Sequence, residues 1–302
     1  MVAGVNGPFR RGLSDEFVSA LRNEADKGGW WTDVLADRGL LIAVRDEYLN
    51  VYWRGQSLFR VHRNGKALAA WTHPKYLLNP ALSRPVRFDG RAFRLGDLSS
   101  RALTQEYEDN STLEMMKKAA GIYSNSEKIG VHAIATTNSS VVDVEIAFRN
   151  GGDAKRGKLP RADIAVIEPG ADNEARLVFW EAKLYRNKEL RSDSGKAQVF
   201  GQIEKYRTVI SAHREALIGS YKRVAQNLID IADMGPSGLR KVSQAVRGVA
   251  TGDLALGIDD PPDVGLIVFG FDQAQRADAI HRASLIDAIR FKALGDAGAI
   301  TL

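Results

Sequence analysis

The stretches ADIAVIE, residues 162–168, and RLVFWEAKLY, residues 176–185, decide how this chain is read. Both are rich in β-branched and aromatic residues, which predicts two strands. Side chains alternate along a strand, so Glu181 and Lys183 share one face while Ala182 points to the other. The residues ahead of them, Leu177 to Trp180, are all apolar. An acid and a base thus emerge together from a stretch that reads as interior. That placement is costly unless the two groups are paired or bind something. Asp163 opens the earlier strand, just after Pro160-Arg161, and reaches the same place if the two strands are neighbours.

Outward from this pair, VVDVEIAF (141–148) reads as a preceding strand, and a glycine-rich basic loop, GGDAKRGK (151–158), follows it. Two helices are expected upstream. STLEMMKKAA (111–120) has the form of a capped helix, and SNSEKIGVHAIAT (124–136) begins a second. Downstream, a long helical region is expected over about 197–233, ended by Gly235, Pro236 and Gly238. LIVFGF (266–271) reads as a continuous apolar strand buried on both faces, and a last helix is expected over 277–293. Helix, three strands, helix, late strand, helix is an α/β pattern over residues 101–302.

Residues 1–100 read differently, as a small α+β domain. A helix is expected over 14–26, capped by Ser14 or Asp15. LLIAV (40–44), YLNVYW (48–53), SLFRVH (57–62) and ALAAWT (67–72) then form an antiparallel meander, with Asn64-Gly65 as a hairpin signal. Pro74, Pro80 and Pro85 mark a loop-rich connector. Tyr48, Tyr52, Trp53, Phe59 and Trp71 are interleaved with Arg54, Arg60 and Arg63. Such a set either fills a core or stacks bases, so this domain is read as a DNA-contact or partner-docking module.

Two carboxylates and a lysine meeting on adjacent strands suit phosphodiester hydrolysis. Carboxylates hold a hard cation such as Mg²⁺ through oxygen, and an ammonium stabilises developing charge or positions water. Asp163 followed by Glu181-Ala182-Lys183, on consecutive strands after a helix, resembles the PD-(D/E)xK nuclease superfamily. The helix QVFGQIEKYR adds Gln202 and Tyr206 in a Gln-x-x-x-Tyr arrangement similar to that of the exonuclease-like branch. The resemblance covers about residues 111–210. It departs from the pattern in that Pro160 is not adjacent to Asp163.

The resemblance implies a restriction-endonuclease-like three-layer α/β core with a central mixed sheet. It implies a Mg²⁺-dependent deoxyribonuclease, Mn²⁺ substituting, acting in restriction, phage defence or repair. Asp163, Glu181 and the Ala182 carbonyl would hold the metal, and Lys183 would act as base or electrostatic helper. An additional family glutamate would fall on the preceding helix, with Glu127 the first candidate and Glu114 and Glu108 the alternatives. Gln202 and Tyr206 would support the site or touch nucleic acid. Asp143 and Glu145 favour a supporting role over direct contact with the metal. Lys155, Arg156 and Lys158 before the site, and Arg186, Lys188 and Arg191 after it, would contact phosphates of DNA, with RNA left open.

Bulk composition bounds these expectations. The chain has 302 residues, 44% of them hydrophobic and 26% charged, as in ordinary globular proteins. Its net charge of +5 suits a polyanionic partner. It has no cysteine, which excludes disulfides and thiolate metal sites. No apolar run is long enough for a membrane span, and the start MVAGVNGPFRRG lacks a secretory apolar stretch, so a cytoplasmic location is expected. The five histidines are scattered, and no phosphate-loop, dinucleotide or serine-hydrolase motif occurs. Two other readings compete: a nuclease-like module that grips nucleic acid or a partner protein without cutting, and a coincidence in which Glu181 and Lys183 lie on solvent far from Asp163. Self-association is open in all three.

Overall fold

The structure is a computed structural model, and it describes residues 9–77, 85–96, 104–148, 161–191, 197–279 and 289–302. It is a mixed α/β fold with two separate sheets. The chain divides into two compact units. One comprises Arg11–His132 with Gln226–Val242; the other comprises Met1–Arg10, Ala133–Ala225 and Ser243–Leu302. The expected boundary near residue 100 is therefore displaced to His132.

In the first unit, helix α1 (Asp15–Ala25) starts at Ser14, whose hydroxyl accepts from Phe17 N–H. A short helix α2 (Trp30–Ala36), not foreseen in the sequence, follows. The meander is β1 (Leu41–Val44), β2 (Tyr48–Trp53), β3 (Gln56–Asn64) and β4 (Ala67–Thr72). The proline-rich connector also holds β5 (Val86–Phe88) and β6 (Phe93–Arg94), which extend the sheet to six strands in sequential order. Helix α3 (Asn110–Gly121) packs on β2, β3 and α2, which draws residues beyond 100 into this unit. The core holds Trp30, Phe59 and Phe88, with Trp30 ring centroids 5.4 Å from each of the other two. Rings of this size bury roughly 150–250 Å², and full burial of a Phe side chain contributes roughly 1.5–3 kcal/mol in transfer free energy.

In the second unit, the sheet is built on β7 (Val141–Ala147), β8 (Arg161–Pro169) and β9 (Glu174–Leu184), each antiparallel to the next. Before it, α4 (Ser126–Thr137), which belongs to the first unit as far as His132, leads into β7. After it come α5 (Gln198–Ala212) and α6 (Arg214–Met234), parted at His213 where one long helical region was expected; from Gln226 on, α6 belongs to the first unit. Helix α7 (Gln244–Thr251) and strand β10 (Ala255–Gly257) precede β11 (Val264–Phe269), which pairs with β9 in parallel and is buried throughout. The last helix expected over 277–293 is corrected at its end: Phe291–Leu294 is strand β12, paired in parallel with β11. The sheet edge supplies backbone partners there, and they outweigh local helical preference. The order β12-β11-β9-β8-β7 leaves β9 central, and Leu177 to Lys183 are buried on both faces.

Candidate active site

The pairing of β8 with β9 runs from Pro169↔Ala175 to Ile164↔Trp180, and β7 joins through Val144↔Ile164. One step further along the same register, Glu145, Asp163 and Glu181 come abreast on three neighbouring strands. At this step the ladder gives way to a side chain: the Ala182 N–H donates to Asp163 Oδ2 at 2.8 Å. Asp163 thus sits against the peptide that joins Glu181 to Lys183. The three residues named from the sequence do converge, and the reading that put Glu181 and Lys183 on solvent is overturned. Glu181 is 3% and Lys183 6% exposed.

Their charges are organised around the lysine. Lys183 Nζ lies 2.6 Å from Glu181 Oε1 and 2.6 Å from Glu189 Oε2. Burial alone pulls the ammonium pKa down, but the Glu181 charge and the two hydrogen bonds outweigh it and leave it raised. Burial pushes the Glu181 carboxyl up, against the pull of Lys183. Asp163 is pushed well above the usual carboxylate range by burial and then by the Glu181 charge, although part of its surface stays accessible. With three carboxylates to one ammonium, the site has an excess of negative charge in a poorly solvated place. That is the electrostatic condition of a cation site.

Helix α5 closes the site from above. The Tyr206 hydroxyl lies 2.9 Å from Glu181 Oε2 and 2.6 Å from the Arg161 carbonyl. Tyr206 is buried, so it orients Glu181 and offers little surface to nucleic acid, which corrects the second of its two expected roles. One turn earlier on the helix, the Gln202 amide donates to Glu189 and helps hold that carboxyl below its usual range, after the Lys183 hydrogen bond. Gln202 Oε1 is buried without a hydrogen-bond partner among the described residues.

The other expectations divide. Glu127, Glu114 and Glu108 all belong to the first unit, and Glu114 pairs there with Lys117 at 2.7 Å. The carboxylate that sequence reasoning missed is Glu189. It stands on the one-turn 3-10 helix Lys188–Leu190, capped by Asn187, which has no periodicity to detect. Glu145 pairs with Arg161 at 2.9 Å and has a left-handed backbone, φ 53°. Asp143 is structural: it is buried and accepts from the Tyr221 hydroxyl at 3.0 Å. Arg186, Lys188 and Arg191 are exposed on the segment that carries Glu189, and the Arg191 guanidinium lies 5.4 Å from the Tyr185 ring centroid. Lys155, Arg156 and Lys158 lie outside the described residues.

Among the described residues, no group of three or more His, Asp or Glu side chains is placed to enclose a metal ion. None of their helices is long and apolar enough to cross a membrane. No family model, curated protein or solved structure matches the chain.

Proposed function

We propose that the mixed-sheet unit is a metal-dependent nuclease that hydrolyses phosphodiester bonds of DNA. One observation carries this reading: Asp163, Glu181 and Lys183 meet where two adjacent strands part, with excess negative charge at the meeting point. The order α4, β7, β8, β9, α5, β11 and the sheet order β11-β9-β8-β7 support a restriction-endonuclease-like core.

The residues present fit a hard divalent cation. Two carboxylates supply oxygen ligands, their mutual repulsion is relieved by a positive charge, and the buried Gln202 Oε1 still needs a donor or a bridging water. Mg²⁺ keeps several waters of its own, so an enclosing cage of three acids is not required. When bound, such a cation polarises a phosphate and lowers the pKa of water.

The chain's own groups do the rest. Tyr206 and Ala182 N–H fix the Glu181 and Asp163 carboxylates in place. Glu181 and Glu189 aim Lys183 and keep it charged, so it serves as a donor to phosphate oxygen as charge develops there. Gln202 holds Glu189 for that purpose. Arg186, Lys188 and Arg191 supply exposed charge for the phosphate backbone beside the site.

The test is a cleavage assay of the purified chain on linear, circular and single-stranded DNA and on RNA, with Mg²⁺, with Mn²⁺ and with chelator. Cleavage of DNA that the chelator abolishes is expected. Intact nucleic acid in every arm refutes the reading.

A further inference from the structure

The six-stranded sheet of the first unit has two unlike faces. The inner face carries Leu49, Val51, Phe59, Val61 and Phe88, all buried. Side-chain alternation then puts Tyr48, Asn50 and Tyr52 of β2 on the outer face. The register places Tyr48 opposite His62, Asn50 opposite Arg60, Arg60 opposite Trp71, and Trp71 opposite Arg87. Rings and cations therefore form a continuous row across four strands.

Arg60, Tyr48, His62 and Trp71 are in contact in turn. The Arg60 guanidinium lies 4.2 Å from the Tyr48 ring centroid. Tyr48 stacks on His62 at 5.2 Å and 19°, and His62 meets Trp71 edge-on at 5.0 Å. The three rings are half-buried, whereas Arg60 and Arg87 are exposed. Burial, then the charge of Arg60, lowers the His62 pKa, which favours its uncharged ring. No strand of this sheet contains an aspartate or a glutamate.

We propose that the outer face of β2 to β5 binds single-stranded nucleic acid, with bases on the Tyr48–His62–Trp71 ladder and phosphates on Arg60 and Arg87. An aromatic row flanked by arginines, on a sheet whose strands carry no carboxylate, matches the two repeating chemistries of a nucleic-acid strand. Aromatic platforms stack any base that offers a free face, and arginine tracks the phosphates. A duplex keeps its base faces stacked on one another and can use only the charges, so the rings select the single strand. This site is distinct from the proposed catalytic centre and requires neither metal nor cleavage.

The test measures fluorescence anisotropy of labelled oligothymidine and oligouridine of about 15 nucleotides, a length that covers one such platform. A hairpin duplex of equal length is the control. The full chain is used, in chelator, with increasing salt. Wild type is expected to bind the single strands more tightly than the hairpin, and salt to weaken that binding. Trp71→Ala is expected to weaken single-strand binding about tenfold or more. Arg60→Glu, at an exposed position, is expected to do the same, with circular dichroism to verify that the variant is folded. The proposal is overturned if single strands do not bind, if the hairpin binds equally well, or if Trp71→Ala and Arg60→Glu bind as wild type. Cleavage together with unaffected platform variants removes this proposal and leaves the nuclease reading. Selective single-strand binding lost in those variants, with no cleavage under any condition, does the reverse.

Discussion

Asp163 and Glu181 place two carboxyls in a poorly solvated position, and the fold bears the cost of ionising them. Both carboxyls have raised pKa values, so stability falls as pH rises from the usual carboxylate range up to those raised values. Asp163→Asn keeps an acceptor for the Ala182 N–H while removing one charge. In chelator it is expected to raise the melting temperature by about 3 °C, with a larger gain at pH 8 than at pH 5. Thermal melts at the two pH values check both the sign and the trend. The same variant should lose cleavage, as when a destabilised site serves activity. Glu181 and Lys183 were legible from strand alternation within an apolar run. Asp163 was legible only on the condition that its strand is the neighbour, and the register meets that condition. Glu189 was not legible, because a residue on a single turn is positioned by tertiary contacts alone.

At the scale of elements, regular alternation was readable and short pieces were not. The strands of the meander and the Asn64-Gly65 turn follow from pattern, and Gly65 takes the left-handed φ of 61° that such a turn demands. Strands β5 and β6 are too short for a period, and α2 is only two turns long. Strand β12 exists because β11 offers it partners, which no local signal announces. The junction of β9 and β11 depends on a missing side chain. Gly265 lies opposite Trp180, and a Cβ there would fall 2.3 Å from a ring carbon. Gly265→Ala is therefore expected to destabilise the unit by about 1–3 kcal/mol, the usual cost of overpacking. Urea unfolding measures it, and an unchanged midpoint would mean that Trp180 has room to move.

For the whole molecule, the sequence suggested two consecutive domains, but the chain leaves and re-enters its first unit. Gln226–Val242 belongs with Arg11–His132, a long-range association that composition cannot reveal. Arg240 shows what holds it there. Its guanidinium donates to the carbonyls of Val34, Leu35, Asp37 and Leu40, around the C-terminal end of α2, at 2.6 to 3.1 Å. Burial pushes its pKa down to about 10, with the Asp37 charge opposing, so it remains charged at neutral pH. Arg240→Met would leave buried carbonyls without a donor, at about 1–3 kcal/mol per group. A loss of about 3 kcal/mol or more in chemical unfolding is expected. A loss below about 1 kcal/mol would mean that solvent replaces these bonds.

Lys183, Asp163 and Glu181 are proposed to form a phosphodiesterase centre. The most direct measurement compares wild type with Lys183→Met on DNA in Mg²⁺, with circular dichroism to verify that both are folded. Wild type is expected to cleave in a manner that chelator abolishes, and Lys183→Met to lose at least about a hundredfold in rate, the scale of removing one charge-stabilising donor. Equal cleavage rates for the two folded proteins would contradict it.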